Sequence, residues 1–243
     1  MKQKWTAFIT GGSEGIGYAC AVTLVKHGHQ VCIVSRDPIK LEDARNRLSS
    51  GNASDILAVS ADVTNKEDIK NAVAKANNHF GSIDVLINSA GCSMHAPVPL
   101  ETVSQEEYAR IMHTNVDGTF YTTQAVLEIM RRQNNGYIIN ILSTAAYKVG
   151  ARGAPYGASK FAARAITESL VEECRGSGIR VSSISPGPVA TSIWSHKTTP
   201  PTAEKMEKML CPEEIADLAM FLLERPPNVF IKDLEVTPWF YSK

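Results

Sequence analysis

The stretch Thr10-Gly11-Gly12-Ser13-Glu14-Gly15-Ile16-Gly17 joins a short apolar run, Lys4 to Thr10, to an apolar segment of helical period, Tyr18 to His27. Glycines at such a junction let the backbone turn sharply and approach a pyrophosphate closely. The start of the following helix offers unpaired N–H groups and a positive dipole to the same anion. A glycine turn alone is weak evidence, but one set between a first strand and a first helix is a dinucleotide signal. Gly11, Ser13, Glu14, Gly15, Ile16 and Gly17 are therefore the first candidate cofactor contacts.

Beyond that turn, short runs rich in Val and Ile alternate with longer stretches of helical period, the pattern of repeated βα units. The predicted strands are Lys4 to Thr10, Gln30 to Ser35, Asp55 to Val59, Asp84 to Asn88, Tyr137 to Leu142, Ile179 to Ser185 and Asp233 to Thr237. They imply a single doubly wound α/β domain over residues 1–243, with a parallel sheet of about seven strands flanked by helices on both faces. Helix starts are written in cap chemistry: Asp37 before Pro38, and Thr64 with Glu67 and Ser104 with Glu107 as capping boxes. No repeat of solenoid period and no interdomain linker interrupts the pattern. The one irregular stretch, Thr191 to Leu210 with Pro200 and Pro201 inside it, is the expected place for a substrate lid.

Composition narrows the classes of function. With 44% hydrophobic and 21% charged residues in 243, the chain is of ordinary globular type, and disordered or fibrous classes are set aside. Lys+Arg and Asp+Glu are both 25, so no long-range field of one sign draws it to nucleic acid or anionic lipid. Five scattered cysteines without a CxxC pair fit a reducing compartment, the cytoplasm. The N-terminal MKQKWTAFIT reads as a first strand and not a signal peptide, and no run has the length of a membrane span. Asn52-Ala53-Ser54 matches a glycosylation sequon and reads as a surface loop. His95, His113 and His196 have no partners at metal-ligand spacing, so no metal site is expected.

Two further places carry chemistry. The second predicted strand ends in Ser35-Arg36, where enzymes that bind NAD usually place an acid on the adenosine ribose hydroxyls. A guanidinium there suits a 2′-phosphate, a contact worth about 1.5 to 3 kcal/mol, so NADP(H) is the expected cofactor. Glu14 at the turn opposes this, and Asp37 would do so if it held Arg36 away. In Tyr156-Gly157-Ala158-Ser159-Lys160 a phenol and an ammonium stand at i and i+4 on one helix face. An ammonium about 4 to 5 Å from a phenol would lower its pKa by roughly two to three units, into the range of a general acid or base.

Several motifs then agree in order and spacing. Thr10 to Gly17 is similar to TGxxxGxG, Asp62-Val63 to an adenine-contacting DV, and Asn88-Ser89-Ala90-Gly91 to NNAG. Asn115, Ser143, Tyr156 and Lys160 match a catalytic tetrad, and Pro186-Gly187-Pro188-Val189-Ala190-Thr191 is similar to PGxVxT. Over nearly all its length the chain thus resembles the short-chain dehydrogenase/reductase family, which implies a Rossmann fold and hydride transfer between a nicotinamide and a small carbonyl or secondary alcohol. The resemblance makes Tyr156 the general acid in reduction and the base in the reverse direction. It makes Ser143 the group that orients the carbonyl, Lys160 the group that tunes Tyr156 and holds the ribose, and Asn115 the anchor of a proton-carrying water. It adds Asp62, Val63, Asn88, Ala90, Gly91, Pro186, Gly187, Val189 and Thr191 to the cofactor contacts, and a homodimer or homotetramer to the expected state.

Ser89 departs from the second Asn of NNAG, and Leu142 stands where many relatives have a further Ser. The ending Pro226 to Pro238 lacks VDGG and resembles that of NADP-dependent 3-hydroxy acid dehydrogenases. Met94, His95 and Trp194 either reach a substrate or simply pack. Phe120, Tyr121, Leu127, Met130 and Phe161 belong either to dimerising helix faces or to the core, and Trp239-Phe240-Tyr241 is expected to pack on its own or a neighbouring subunit. Two other readings compete: an NAD-dependent alcohol dehydrogenase, and a catalytically silent dinucleotide-binding sensor or scaffold.

Overall fold

The structure, a computed structural model, describes residues 4–49 and 55–240; the Asn52 sequon and Tyr241 lie outside them. Strands β1 (Thr6–Thr10), β2 (Gln30–Ser35), β3 (Ile56–Ser60), β4 (Val85–Asn88), β5 (Gly136–Ile141), β6 (Ile179–Pro186) and β7 (Asp233–Val236) form one parallel sheet. Their order is β3-β2-β1-β4-β5-β6-β7. All seven expected strands are present, with ends moved by one or two residues. At β4 the reason is visible: the Asp84 carboxylate accepts from the Thr6 N–H (2.9 Å), so Asp84 closes the start of β1 before β4 begins.

Helices α1 (Gly15–Lys26), α2 (Pro38–Leu48), α3 (Lys66–Phe80), α4 (Gln105–Met112), α5 (Gly118–Gln133), α6 (Ala154–Cys174), α7 (Ala203–Glu207) and α8 (Pro212–Leu223) complete the chain. Successive strand side chains point to opposite faces, and here both faces are covered. Ala7, Ile9, Val31, Ile33, Val85 and Ile87 pack under α1, α2 and α8. Phe8, Cys32, Val34, Leu86 and Ile138 pack under α3, α5 and α6. That double burial is why the strands read as continuous apolar runs rather than alternating ones. Met130 belongs to the second core and Leu127 packs against it, whereas Phe120 and Phe161 are exposed. Trp239 (90% exposed) and Phe240 (83%) do not pack on their own subunit, contrary to one branch of the expectation.

The caps divide. Asp37 caps α2 through the amides of Ile39 (3.0 Å) and Lys40 (3.1 Å), as expected. The cap of α3 is Asn65, not Thr64, because the Thr64 hydroxyl is engaged by Asp62 (2.9 Å) and Asn65 accepts from Glu67 N (3.0 Å). At α4 only half the expected box forms: Ser104 accepts from Glu107 N (3.1 Å), while the Glu107 carboxylate turns to His95 and Arg110. A reciprocal pair unremarked in the sequence sits at α8, where the Glu214 carboxylate accepts from Cys211 N (2.7 Å).

Candidate active site

The strand order reverses between β1 and β4, and ligands of open α/β sheets bind outside the carboxyl ends of the strands at that point. The glycine turn leaves β1 there and Asn88-Ser89-Ala90-Gly91 leaves β4. Gly11 stands at φ +65°, and a Cβ on it would lie 2.9 Å from the Ala90 Cα, so the two loops meet only because residue 11 has no side chain. Thr10 ties them further, its Oγ1 accepting from the amides of Ser89 and Ala90 (3.2 Å each). Glu14 precedes α1 without a side-chain cap and the first turn carries no acid, which leaves the first amides open to an anion.

At the end of β2, Ser35 accepts from Ser13 Oγ (3.0 Å). Arg36 is exposed and has no hydrogen-bond or ion-pair partner among the described residues. The two features expected to oppose it are engaged elsewhere: Asp37 caps α2, and Glu14 is paired with Lys40 (3.2 Å). Asp62 spends one oxygen on the amide and hydroxyl of Thr64 (2.9 Å each), and Val63 packs where a Cβ on Gly118 would fall (2.8 Å). Asn88 donates to Thr123 (2.9 Å) and Asn140 (2.8 Å), and its buried Oδ1 has no partner. After β6, Gly187 N donates to Val236 O (2.7 Å), and Thr191 lies 3.3 Å from where a Gly15 Cβ would stand. The Pro186 to Thr191 segment therefore closes back on the glycine turn, with Val189 buried under it.

The four expected catalytic residues come together from three elements. Asn115 lies in a π-helical segment, His113–Asp117, that joins α4 to α5. Sequence periodicity carries no signal for such a segment, and π-bulges recur at functional sites. Buried Asn115 accepts from Cys92 N (2.8 Å) and donates to Cys92 O (2.9 Å) and Ser159 Oγ (2.9 Å). Ser159 in turn donates to Tyr156 O (2.7 Å), so one amide ties the loop after β4 to the first turns of α6. Ser159 and Cys92 were not singled out in the sequence; Ser159 stands between Tyr156 and Lys160, which was its only mark.

Lys160 is buried and donates to the Ile141 carbonyl at the end of β5 (3.0 Å). Burial lowers its pKa from 10.5 to about 8. Its Nζ lies 5.9 Å from the centre of the Tyr156 ring. Tyr156 is shifted upward, opposite to the expected lowering: the protein packed around the phenol penalises its charged form, and the hydrogen bond from Ser143 only partly offsets this. The expected lowering, argued from an ammonium at about 4 to 5 Å, is outweighed by desolvation of the phenol.

The irregular stretch is tied across the cleft. Trp194 Nε1 donates to Val189 O (2.7 Å), Thr198 N to His95 O (3.0 Å), and Lys197 Nζ to Ser93 Oγ (3.0 Å) and Met94 O. Lys197 is half-buried, and that burial holds its pKa below the usual lysine range. Met94 is buried, while His95 faces solvent and pairs with Glu107 (2.8 Å). Among the described residues no group of three or more His, Cys, Asp or Glu could hold a metal, and no helix is long and apolar enough to cross a membrane.

A seven-stranded doubly wound parallel sheet with a glycine turn at its switch point and a Ser/Tyr/Lys cluster beside it defines a Rossmann-like α/β domain. The short chain dehydrogenase family model matches residues 5–201, and the chain belongs to that family. It is 35% identical over 236 residues to an uncharacterized oxidoreductase of Staphylococcus saprophyticus, covering 97% of this chain and 98% of that one. Among solved structures, the closed form of a serine dehydrogenase complexed with NADP+ superposes with a TM-score of 0.89 at 29% identity, over 98% of this chain and 96% of the other. A 3-ketoacyl-(acyl-carrier-protein) reductase of Brucella melitensis complexed with NADH gives 0.86 at 30% identity, over 96% of both chains.

Proposed function

We propose that this oxidoreductase is an NADPH-dependent carbonyl reductase, interconverting a small carbonyl compound and its secondary alcohol. The reading is carried by Tyr156 and Ser143 beside a buried Lys160, next to a glycine turn at the switch point of the sheet. The residues fit a dinucleotide: a glycine turn that closes tightly at the switch point, an uncapped α1, an unpartnered Asn88 Oδ1 and an Arg36 with no partner among the described residues. The cofactor, when bound, supplies the hydride chemistry.

The protein's own residues do the rest. Tyr156, held protonated by its surroundings at neutral pH, gives its proton to the carbonyl oxygen. Ser143 hydrogen-bonds that oxygen and orients it, and Lys160, charged below about pH 8, stabilises the phenolate that the transfer leaves. Asn115 holds the loop after β4 against α6 and so fixes the wall on which Tyr156 stands. Its two carbonyl-directed and serine-directed bonds use both amide hydrogens, so a role for Asn115 in anchoring water falls to its oxygen. Arg36 would pair with the 2′-phosphate, and Asp62, Val63, Asn88, Ala90, Gly91, Pro186, Gly187, Val189 and Thr191 would line the dinucleotide. Support for NADP over NAD comes from Arg36 and from the NADP+ bound in the serine dehydrogenase relative; the NADH in the ketoacyl reductase marks the alternative.

Titration of the protein's fluorescence with NADPH and, in parallel, NADH tests the reading without a known substrate. Much tighter NADPH binding is expected. Equal binding overturns the Arg36 argument, and binding of neither overturns the cofactor altogether. We further infer a cytoplasmic assembly of two or four copies, supported by the exposed Phe120, Phe161, Trp239 and Phe240 and by five unpaired cysteines; light scattering on the purified chain decides the copy number.

A further inference from the structure

Asp233 opens β7, the last strand of the sheet, and its two carboxylate oxygens bond two different parts of the chain. Oδ1 accepts from Ser185 Oγ (2.9 Å) and from Ser183 Oγ, both on β6 just before Pro186. Oδ2 accepts from the Tyr147 phenol (2.6 Å). Tyr147 ends the short 3-10 turn that Ser143 begins: Ala145 N donates to Ser143 Oγ (3.1 Å), Ala146 N to Ser143 O (2.9 Å) and Tyr147 N to Thr144 O (3.1 Å). The turn is pinned from its other side by Arg164, one helical turn beyond Lys160 on α6. Its guanidinium stacks 4.0 Å over the Tyr147 ring and donates to Ala146 O (3.3 Å). Arg164 is itself steadied by Glu168 (3.1 Å).

The turn bearing Ser143 is thus clamped between a carboxylate anchored on β6 and a cation anchored on the helix that bears Tyr156 and Lys160. Hydrogen bonds to an ionised acceptor are roughly twice as strong as neutral ones, and three converge on this one group. We propose that Asp233 is a positioning residue, which acts through Tyr147 to fix the Ser143 hydroxyl relative to Tyr156 and to the Pro186 end of β6. Its catalytic consequence rests on the carbonyl reductase reading above. A misplacement of about 1 Å costs on the order of a hundredfold in rate, so the clamp matters to turnover even though none of its members touches the reacting atoms.

The test is Asp233→Asn and Tyr147→Phe, separately and together, in the full chain. Each single variant is expected to lower kcat for NADPH oxidation by 4-nitrobenzaldehyde about ten- to a hundredfold while leaving the Kd of NADPH unchanged. The double variant is expected to lose no more than the worse single, because both break one path. Hydrogen exchange of the 143–149 segment should quicken in both, with the glycine turn unaffected. Unchanged kcat in folded variants, additive losses, or unchanged exchange overturns the clamp. Should Asp233→Asn fail to fold, Tyr147→Phe leaves the β6 bonds of Asp233 in place and carries the test alone. A wild type that binds NADPH yet reduces no aldehyde or ketone probe overturns the reductase reading and with it the catalytic consequence. An active wild type with indifferent variants overturns the clamp alone.

Discussion

The half of the cleft built on β1 and β2 and the half built on the segments after β5 and β6 are held by different kinds of contact. On the first side the backbone does the work: Gly11 at positive φ lies against Ala90, the start of α1 is uncapped, and Arg36 stands free at a strand end. On the second side, side chains far apart in sequence make the shape, as Tyr147 does with Asp233, Lys197 with Ser93, and Trp194 with Val189. A surface of backbone amides suits a ligand of fixed chemistry. One assembled from tethered side chains changes with each substitution.

The largest effect expected on that contrast is at the junction of the two halves. Tyr156→Phe should lower kcat by roughly a hundred- to ten-thousandfold, the usual contribution of a general acid, with NADPH binding nearly unchanged. A kcat within a factor of a few of wild type would remove the tyrosine from the mechanism. On the cofactor side, Arg36→Ala should weaken NADPH about ten- to a hundredfold and leave NADH alone. Parallel titrations of the variant check this, and equal weakening of both cofactors would show that the strand end does not discriminate between them.

Lys160 gives a prediction in pH. Burial holds it at about 8 against an ordinary 10.5, so between those values the unfolded chain keeps a proton that the folded chain has released. Stability should accordingly rise with pH across that window, its penalty being fully present below about pH 8. Carbonyl reduction should fall above about pH 8 as the ammonium discharges. Lys160→Met should abolish turnover and raise the unfolding free energy at pH 7 by about 1 to 3 kcal/mol, measured by denaturant unfolding; a less stable variant would mean that the bond to Ile141 outweighs the burial. The smallest effect belongs to the substrate side. Lys197→Ala removes the ammonium that ties the irregular stretch to Ser93 and Met94. It should raise the KM of a carbonyl probe about fivefold, on the scale of one net hydrogen bond, and speed protease nicking near Pro200. A KM and nicking rate equal to wild type would show that Trp194 and Thr198 hold the stretch without it.

Much of this was legible beforehand, for reasons particular residues make plain. The seven strands appear as Val and Ile runs because both sheet faces are buried; the glycine turn stands out between strand and helix, Tyr156 and Lys160 by their i,i+4 spacing, and Ser143 through the family resemblance. The Thr64 cap failed because two competent caps were adjacent and Asp62 claimed one. The Tyr156 shift failed because a pair distance says nothing about what else surrounds the phenol. The partners of Lys197 lie 104 and 103 residues away, so no neighbouring residue marks them. The exposure of Trp239 and Phe240 was equally invisible, since an apolar ending reads the same whether or not its own chain covers it.

The sequence by itself determined the sheet and its glycine-lined switch point, because local periodicity and backbone freedom are written in neighbouring residues. The tertiary structure alone decided that Arg36 is free while Glu14 and Asp37 are engaged, that Asn115 sits in a π-helical segment, and that one carboxylate on β7 serves both β6 and the Ser143 turn. Those depend on which side chains meet after the chain has folded, and hydrogen bonds and desolvation act over distances in space that no spacing in sequence records.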